Sequence, residues 1–352
     1  MWQYVLSTRH NISICGVNSF DTSNVDSYGR IIIDYEKDIH RIHSTHDNFD
    51  SFVKVMSYDI ETYTKDNMIS SIESHVVMCI GICFFLLSSP IPYRRICLII
   101  KPVETTEEYT KYSKDDNVET EYISYESEKE MLKGYIKLIH DENPLVIVGF
   151  NNFGFDDGYI YSRMKLFGLD KTFLELFSYD NTATFKNIEL KIDGIQQSSN
   201  NTIIGNKIFC VDVYKYMLKA NPKLYTQQAK GNLNSMLLLN KIKSPYDNKS
   251  YMQKTDLTYS QMFDYWDSNI EIKKIGFYCV NDALCAGLLL IKMGLLQDKI
   301  KLGETSCSSL YDSLYREVSE KVLTKIEEFG WKNDFCLSDD IITSRPNPKD
   351  FK

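Results

Sequence analysis

Val55-Met56-Ser57-Tyr58-Asp59-Ile60-Glu61 reads as a β-strand that enters from apolar residues and ends on two acids. Alternate side chains of a strand leave the same face, so Asp59 and Glu61 point one way together. Taken alone, the pair suits either a strand end showing acids to water or two anions sharing a hard divalent cation. The apolar stretches 76–87 and 94–101 read as two more strands, and three consecutive strands predict a meander. Further on, Ser127-x-x-Glu130 is a capping-box pattern ahead of Met131, Leu132, Tyr135, Ile136 and Ile139, which predicts a helix over 127–140. Leu145 to Gly149 is the short all-apolar run of a buried central strand, and a second helix starts near Asp156.

Ile188, Leu190 and Ile192 alternate with polar residues, and a turn region at Gln196 to Asn201 leads into Thr202 to Phe209, so a β-hairpin insertion is expected there. A strand over Ile208 to Val213 follows. Leu233, Met236, Leu237 and Leu239 mark one helix, and a single long helix is predicted from about Phe263 to Met293. The last fifty residues are read as mostly helical until the pattern is lost near Ser344-Arg345-Pro346-Asn347-Pro348, which looks like a severed linker.

With 43% hydrophobic residues in 352, the chain has ample material for a buried core, and its 24 Tyr and 18 Phe exclude a disordered or low-complexity class. The nine cysteines are odd in number and lack a C-x-x-C pair; Cys79, Cys83, Cys97, Cys210 and Cys279 sit in apolar runs as small hydrophobes. That pattern implies a reducing compartment. The start carries no charged leader with an apolar stretch, and the apolar run over 81–87 falls far short of the roughly 20 residues of a membrane span, so a soluble intracellular protein without membrane partners is expected. The net charge of −8 is local: Glu104 to Glu130 holds ten acids and three lysines. Lys207 to Lys243 holds seven lysines and one acid, and fits a solvated face or a DNA backbone contact equally, with Lys215 and Lys219 as candidate contacts.

Two more segments carry chemistry. In Gly149-Phe150-Asn151-Asn152-Phe153-Gly154-Phe155-Asp156-Asp157-Gly158-Tyr159, Asp156 follows a buried strand and opens a helix, where it is a site carboxylate or simply a helix cap. In Tyr278-Cys279-Val280-Asn281-Asp282, positions i and i+4 put a phenol and a carboxylate on one helix face. Together with Tyr58 to Thr62, these resemble the three-motif signature of family-B DNA polymerase proofreading domains: Asp-x-Glu, then Asn-x3-Phe-Asp-x2-Tyr, then Tyr-x3-Asp. Phe209 to Lys215 and Asn232 to Met236 resemble the family's intervening strand and helix, so the similarity covers roughly residues 50 to 300.

The resemblance implies an α/β, ribonuclease-H-like exonuclease fold with a mixed central sheet flanked by helices, a β-hairpin insertion and a helical C-terminal extension. It implies a remnant of the polymerase N-terminal domain over 1–50, the 3′→5′ exonuclease domain over 51–300, and over 301–352 a helical segment leading toward an absent palm. Asp59, Glu61, Asp156 and Asp282 would hold two divalent cations, Mg²⁺ or Mn²⁺, in a two-metal hydrolysis of DNA 3′ ends. Tyr278 would position the water or phosphate, and Asn151 and Phe155 would approach the terminal nucleotides. Family spacing selects Asp156 over Asp157, leaving Asp157 facing solvent or capping the helix. No Asp-Thr-Asp triplet occurs, and Ser309 to Tyr315 reads as a helix rather than a palm motif, so nucleotide addition is not expected from this chain. The remaining polymerase domains are expected partners. The Lys-, Asn-, Ile- and Tyr-rich composition suits an AT-rich viral genome, which would place the protein in the host nucleus or a cytoplasmic viral factory. A free-standing RNA nuclease and a catalytically idle DNA-binding or docking module are the rival readings.

Overall fold

The computed structural model describes residues 18–20, 42–44, 53–64, 75–188, 190–192, 195–197, 200–224, 231–254, 256–306, 308–316 and 318–333. Two compact units divide the chain: Asp50–Leu295, and Met1–Phe49 with Leu296–Lys352. In the smaller unit the short strands β1 (Asn18–Phe20) and β2 (Ile42–Ser44) pair antiparallel.

The larger unit is built on strands β3 (Lys54–Thr62), β4 (Val77–Leu86), β5 (Arg94–Ile99), β6 (Thr120–Ser124), β7 (Val146–Gly149) and β12 (Phe209–Asp212), which form one mixed sheet in the order β12-β7-β3-β4-β5-β6. The meander β3-β4-β5 is antiparallel, while β3, β7 and β12 run parallel. Helix α1 (Glu128–Glu142) begins at Ser127, whose side chain accepts from the Glu130 N–H, and ends at Asn143 in the left-handed region. Its Met131, Leu132, Tyr135, Ile136 and Ile139 pack against Met56, Tyr58, Ile60, Ile80, Ile82, Phe84, Ile96 and Leu98 from one face of the sheet, joined by Ile160 and Met164 of α2 (Asp156–Leu166). The short α3 (Asp170–Glu175) follows.

The opposite face is closed by a helix that the sequence reading had merged with its predecessor. In place of one helix from Phe263, there are two: α6 (Tyr259–Ser268) and α7 (Ile272–Lys292). Asn269 (φ 55°) and Glu271 (φ 58°) both sit in the left-handed region, so the α-helical path is interrupted between them. A Thr258/Gln261 capping box starts α6, and Glu104 starts α7 by accepting from the N–H groups of Ile272 (2.9 Å) and Lys273 (3.0 Å). The acidic segment is thus partly structural: Asp116 also meets Arg95 at 2.7 Å with both side chains buried. Gly81 of β4 lets α7 approach closely, for a Cβ there would lie 2.5 Å from the backbone of Cys279 and Val280. By length and composition, the helical stretch Ile272–Ser306 would qualify as a membrane span, with mean hydropathy 1.7; 72% of that window is buried inside the protein. The sequence reading overlooked it because lysines and Asp282 interrupt the apolar residues.

Between α3 and β12 an arm of short strands leaves the sheet. β8 (Thr184–Asn187) pairs with β11 (Asn201–Ile204), and β9 (Leu190–Ile192) pairs with β10 (Ile195–Gln197). Gln196 and Gln197, expected in a turn, lie in β10 and pair with Lys191 and Leu190; Ser198 and Ser199 of that expected turn lie outside the described residues. Helices α4 (Val213–Ala220) and α5 (Leu233–Leu239) follow β12. The described helices of the C-terminal segment are α8 (Leu295–Ser306), α9 (Leu310–Tyr315) and α10 (Val318–Lys332), with Ser309 and Asp312 forming a capping box on α9. The linker-like stretch at 344–348 lies outside the described residues.

Candidate active site

The carboxyl ends of β3, β7 and β12 share one edge of the sheet, where α/β folds collect functional groups. Because side chains alternate along β3, Met56, Tyr58 and Ile60 enter the core beneath α1, and Asp59 and Glu61 face α7. α7 presents Tyr278 and Asp282, one turn apart, to the same space. A cleft of about 1030 Å³ opens there, lined by Asp59, Glu61, Asn151, Phe155, Asp156, Tyr278 and Asp282. All seven residues singled out in the three motifs therefore meet.

The turn between β7 and α2 is held by a residue to which the sequence reading gave no role. Asp212, fully buried at the end of β12, accepts from the N–H groups of Asn151 (3.0 Å), Phe153 (3.1 Å) and Lys215 (3.2 Å). It caps α4 and at the same time fixes the turn, in which Asn151 adopts φ 62°. Lys254 was also missed. Its ammonium pairs with Asp282 Oδ2 and lies 4.5 Å over the Tyr278 ring, contributing a cation–π contact. Nothing in the sequence marks it, since it stands alone in a loop without periodicity. Tyr214, Asn232, Tyr259 and Phe263 complete the wall.

Two expectations are corrected. Asp157 neither faces solvent nor caps its helix: it is buried and takes hydrogen bonds from Tyr58, Asn152 and Thr202. Lys215 is buried on α4 with its ammonium 5.4 Å over the Tyr214 ring, because this face of the amphipathic helix turns inward; Lys219 is exposed.

Crowded, desolvated anions hold protons. Burial, then Asp282, Asp156 and Glu61, push Asp59 well above the usual carboxylate range. Burial and Asp282 push Glu61 up to about 8, burial and Asp157 push Asp156 up to about 8, and burial raises Asp282 to about 6 against the opposing pull of Lys254. The donor set fits a hard divalent cation: four carboxylates line one cleft, and Asp282 Oδ1 is buried without a hydrogen-bond partner among the described residues. Cys279 Sγ lies within 4.8 Å of ligand oxygens of Asp59 and Glu61, but the thiol donates to the Asp59 carbonyl (3.3 Å) and accepts from the Gly81 N–H (3.1 Å) in the seam between helix and strand.

These raised carboxyls bind protons more tightly folded than unfolded, so their stabilisation is full below about pH 4 and is lost as pH rises through 6 to 8. A cation that displaces those protons acts in the opposite sense. The thermal midpoint of the metal-free protein is expected to fall between pH 5.5 and 8.5, and the increment on adding Mn²⁺ to grow over that interval. An equal Mn²⁺ increment at both ends would show that these carboxylates do not receive the ion.

A mixed sheet with flanking helices is consistent with an α/β exonuclease domain. Residues 6–236 match the family described as DNA polymerase family B, exonuclease domain, and the chain belongs to that family. It is similar to the DNA polymerase beta of African swine fever virus (isolate Warthog/Namibia/Wart80/1980), at 24% identity over 295 residues, or 80% of this chain and 23% of that protein. Similarity extends to the DNA polymerase of Acanthamoeba polyphaga mimivirus, at 31% over 163 residues (44% of this chain, 9% of that protein). The DNA polymerase of Bombyx mori nuclear polyhedrosis virus is 26% identical over 236 residues (67% and 21%). The chain thus spans under a quarter of the length of each of these relatives.

Proposed function

We propose that this chain is a metal-dependent 3′→5′ exodeoxyribonuclease that removes 5′-mononucleotides from DNA ends as the proofreading part of a DNA polymerase. On this reading the mixed sheet is a ribonuclease-H-like fold and strands β8 to β11 are its hairpin insertion. The observation that carries the proposal is the meeting in one cleft of Asp59, Glu61, Asp156, Asp282 and Tyr278 from three distant segments of sequence.

Asp59, Glu61, Asp156 and Asp282 would hold two divalent cations, Mg²⁺ or Mn²⁺, which would supply Lewis acidity for water activation and for neutralising charge on the leaving 3′ oxygen. Burial and the nearby carboxylates keep the Tyr278 phenol above its ordinary pKa, so it stays protonated and acts as a hydrogen-bond donor that aligns water or phosphate. Lys254 orients Tyr278 and Asp282 and brings positive charge toward the DNA backbone. Phe155 and Tyr259, 38% and 72% exposed, offer ring faces to the bases, and Asn151 hydrogen-bonds the terminal nucleotide.

Digestion of 5′-labelled single-stranded DNA and RNA of equal sequence, with Mg²⁺ or Mn²⁺ and with EDTA, tests the reading. A ladder from the DNA 3′ end that EDTA stops is expected; activity persisting in EDTA, or preference for RNA, would overturn it. Lys219→Glu is expected to weaken DNA binding and lower the salt slope by about 1, whereas Lys215→Glu lowers the thermal midpoint because it buries an acid beside Asp212. Unchanged binding of Lys219→Glu at every salt concentration would remove that surface from the DNA path.

A further inference from the structure

Beside the proposed ligand Asp156 stands a second carboxylate that the hydrolysis does not use. Asp157 is buried and does not line the cleft; it lies instead at an interior void of about 10 Å³ among Tyr58, Tyr135, Ile147, Phe173 and Cys210, too small for a bound molecule. Its partners come from three different segments of the chain. Tyr58, next to Asp59, donates its phenol to Oδ1; Asn152, next to Asn151, donates Nδ2–H to the same oxygen at 3.1 Å; Thr202 of β11 donates its hydroxyl to Oδ2 at 2.6 Å. A backbone bond reinforces the last link, from the Asn201 N–H to the Phe153 carbonyl at 2.8 Å.

A buried carboxylate with three donors has a fixed position, because losing any one of them leaves charge without compensation. Each donor here sits one residue from a group of the proposed site or belongs to the arm. Tyr58 transmits that fixity to Asp59 along β3, and the helix backbone transmits it to Asp156. We propose that Asp157 is a positioning residue that sets the spacing of Asp59 and Asp156, and that Thr202 makes the arm strand β11 part of this frame. The arm therefore contributes to hydrolysis of single-stranded DNA.

The inference rests on the exonuclease reading, and Mn²⁺ binding followed by electron paramagnetic resonance keeps the two separable. Thr202→Val is expected to slow single-turnover cleavage of single-stranded DNA tenfold or more and to weaken Mn²⁺ binding, with DNA affinity in EDTA within twofold of wild type. Thr202→Ser, which restores the hydroxyl, is expected to recover the rate to within threefold. Asp157→Asn keeps an acceptor for Tyr58 and stays within tenfold of wild type, whereas Asp157→Leu loses far more. Wild-type rate and Mn²⁺ affinity in Thr202→Val would overturn the proposal, as would a loss that Thr202→Ser fails to rescue. An inert wild type would sink the exonuclease reading, and the Mn²⁺ comparison would then decide the positioning role alone.

Discussion

Asp59→Ala is expected to reduce single-turnover cleavage of single-stranded DNA by several orders of magnitude while the protein remains folded. Asp59 is the carboxylate on which Asp282, Asp156 and Glu61 all bear, so it stands at the electrostatic centre of the cluster. Its removal would take a ligand from the proposed cation site and leaves the other three acids crowded without full neutralisation. Tyr278→Phe is the informative contrast. It deletes one positioning hydrogen bond, worth roughly 10²-fold to 10³-fold in a preorganised site, and keeps the ring beneath Lys254, so Mn²⁺ affinity is expected to hold. Substantial activity in Asp59→Ala, or lost metal binding in Tyr278→Phe, would refute this division of roles.

Gly81→Ala is expected to damage the fold and the site together, although it lies outside the cleft. A Cβ at this position meets Cys279 C and Val280 N at 2.5 Å and Cys279 O at 2.6 Å, all backbone atoms that cannot rotate away. Helix α7 has to lift from β4 to accommodate it, and overpacking of this kind costs about 1–3 kcal/mol or more. Cys279 follows Tyr278 directly, so the same displacement moves the phenol and Asp282 away from Asp59. Urea unfolding and cleavage rate measured on one preparation should fall together. A variant with wild-type midpoint and rate would mean that α7 does not need this approach.

Much of the site was legible because its residues occur at fixed spacings on regular elements. Asp59 and Glu61 obey the period of a strand, Tyr278 and Asp282 that of a helix, and Asp156 marks a helix start. The meander, α1 and β7 were legible for the same reason, since each carries an unbroken hydrophobic period. What escaped notice depends on long-range contact. Lys254 acquires its role only when the loop before α6 folds over α7, 28 residues away in sequence. Asp157 looks like a solvated or capping acid until the folded chain brings it Tyr58 and Thr202, and Asp212 looks like no more than a cap until the turn N–H groups of Asn151 and Phe153 reach it. The division of α6 from α7 was hidden because left-handed Asn269 and Glu271 interrupt the chain without a Gly or Pro to announce it. Lys215 was misjudged because a tally of charge along the chain ignores which helix face turns inward.

All six described cysteines are free and buried, and five of them (Cys79, Cys83, Cys97, Cys279 and Cys285) belong to β4, β5 and α7. A thiol reagent can reach those five only when the helix parts from the sheet, so their alkylation rate acts as a clock for that opening. The same seam is spanned by the proposed metal ligands, Asp59 and Glu61 on one side and Asp282 on the other. Occupancy of the cleft and breathing of the core are therefore two readings of one equilibrium, and a bound cation slows the clock.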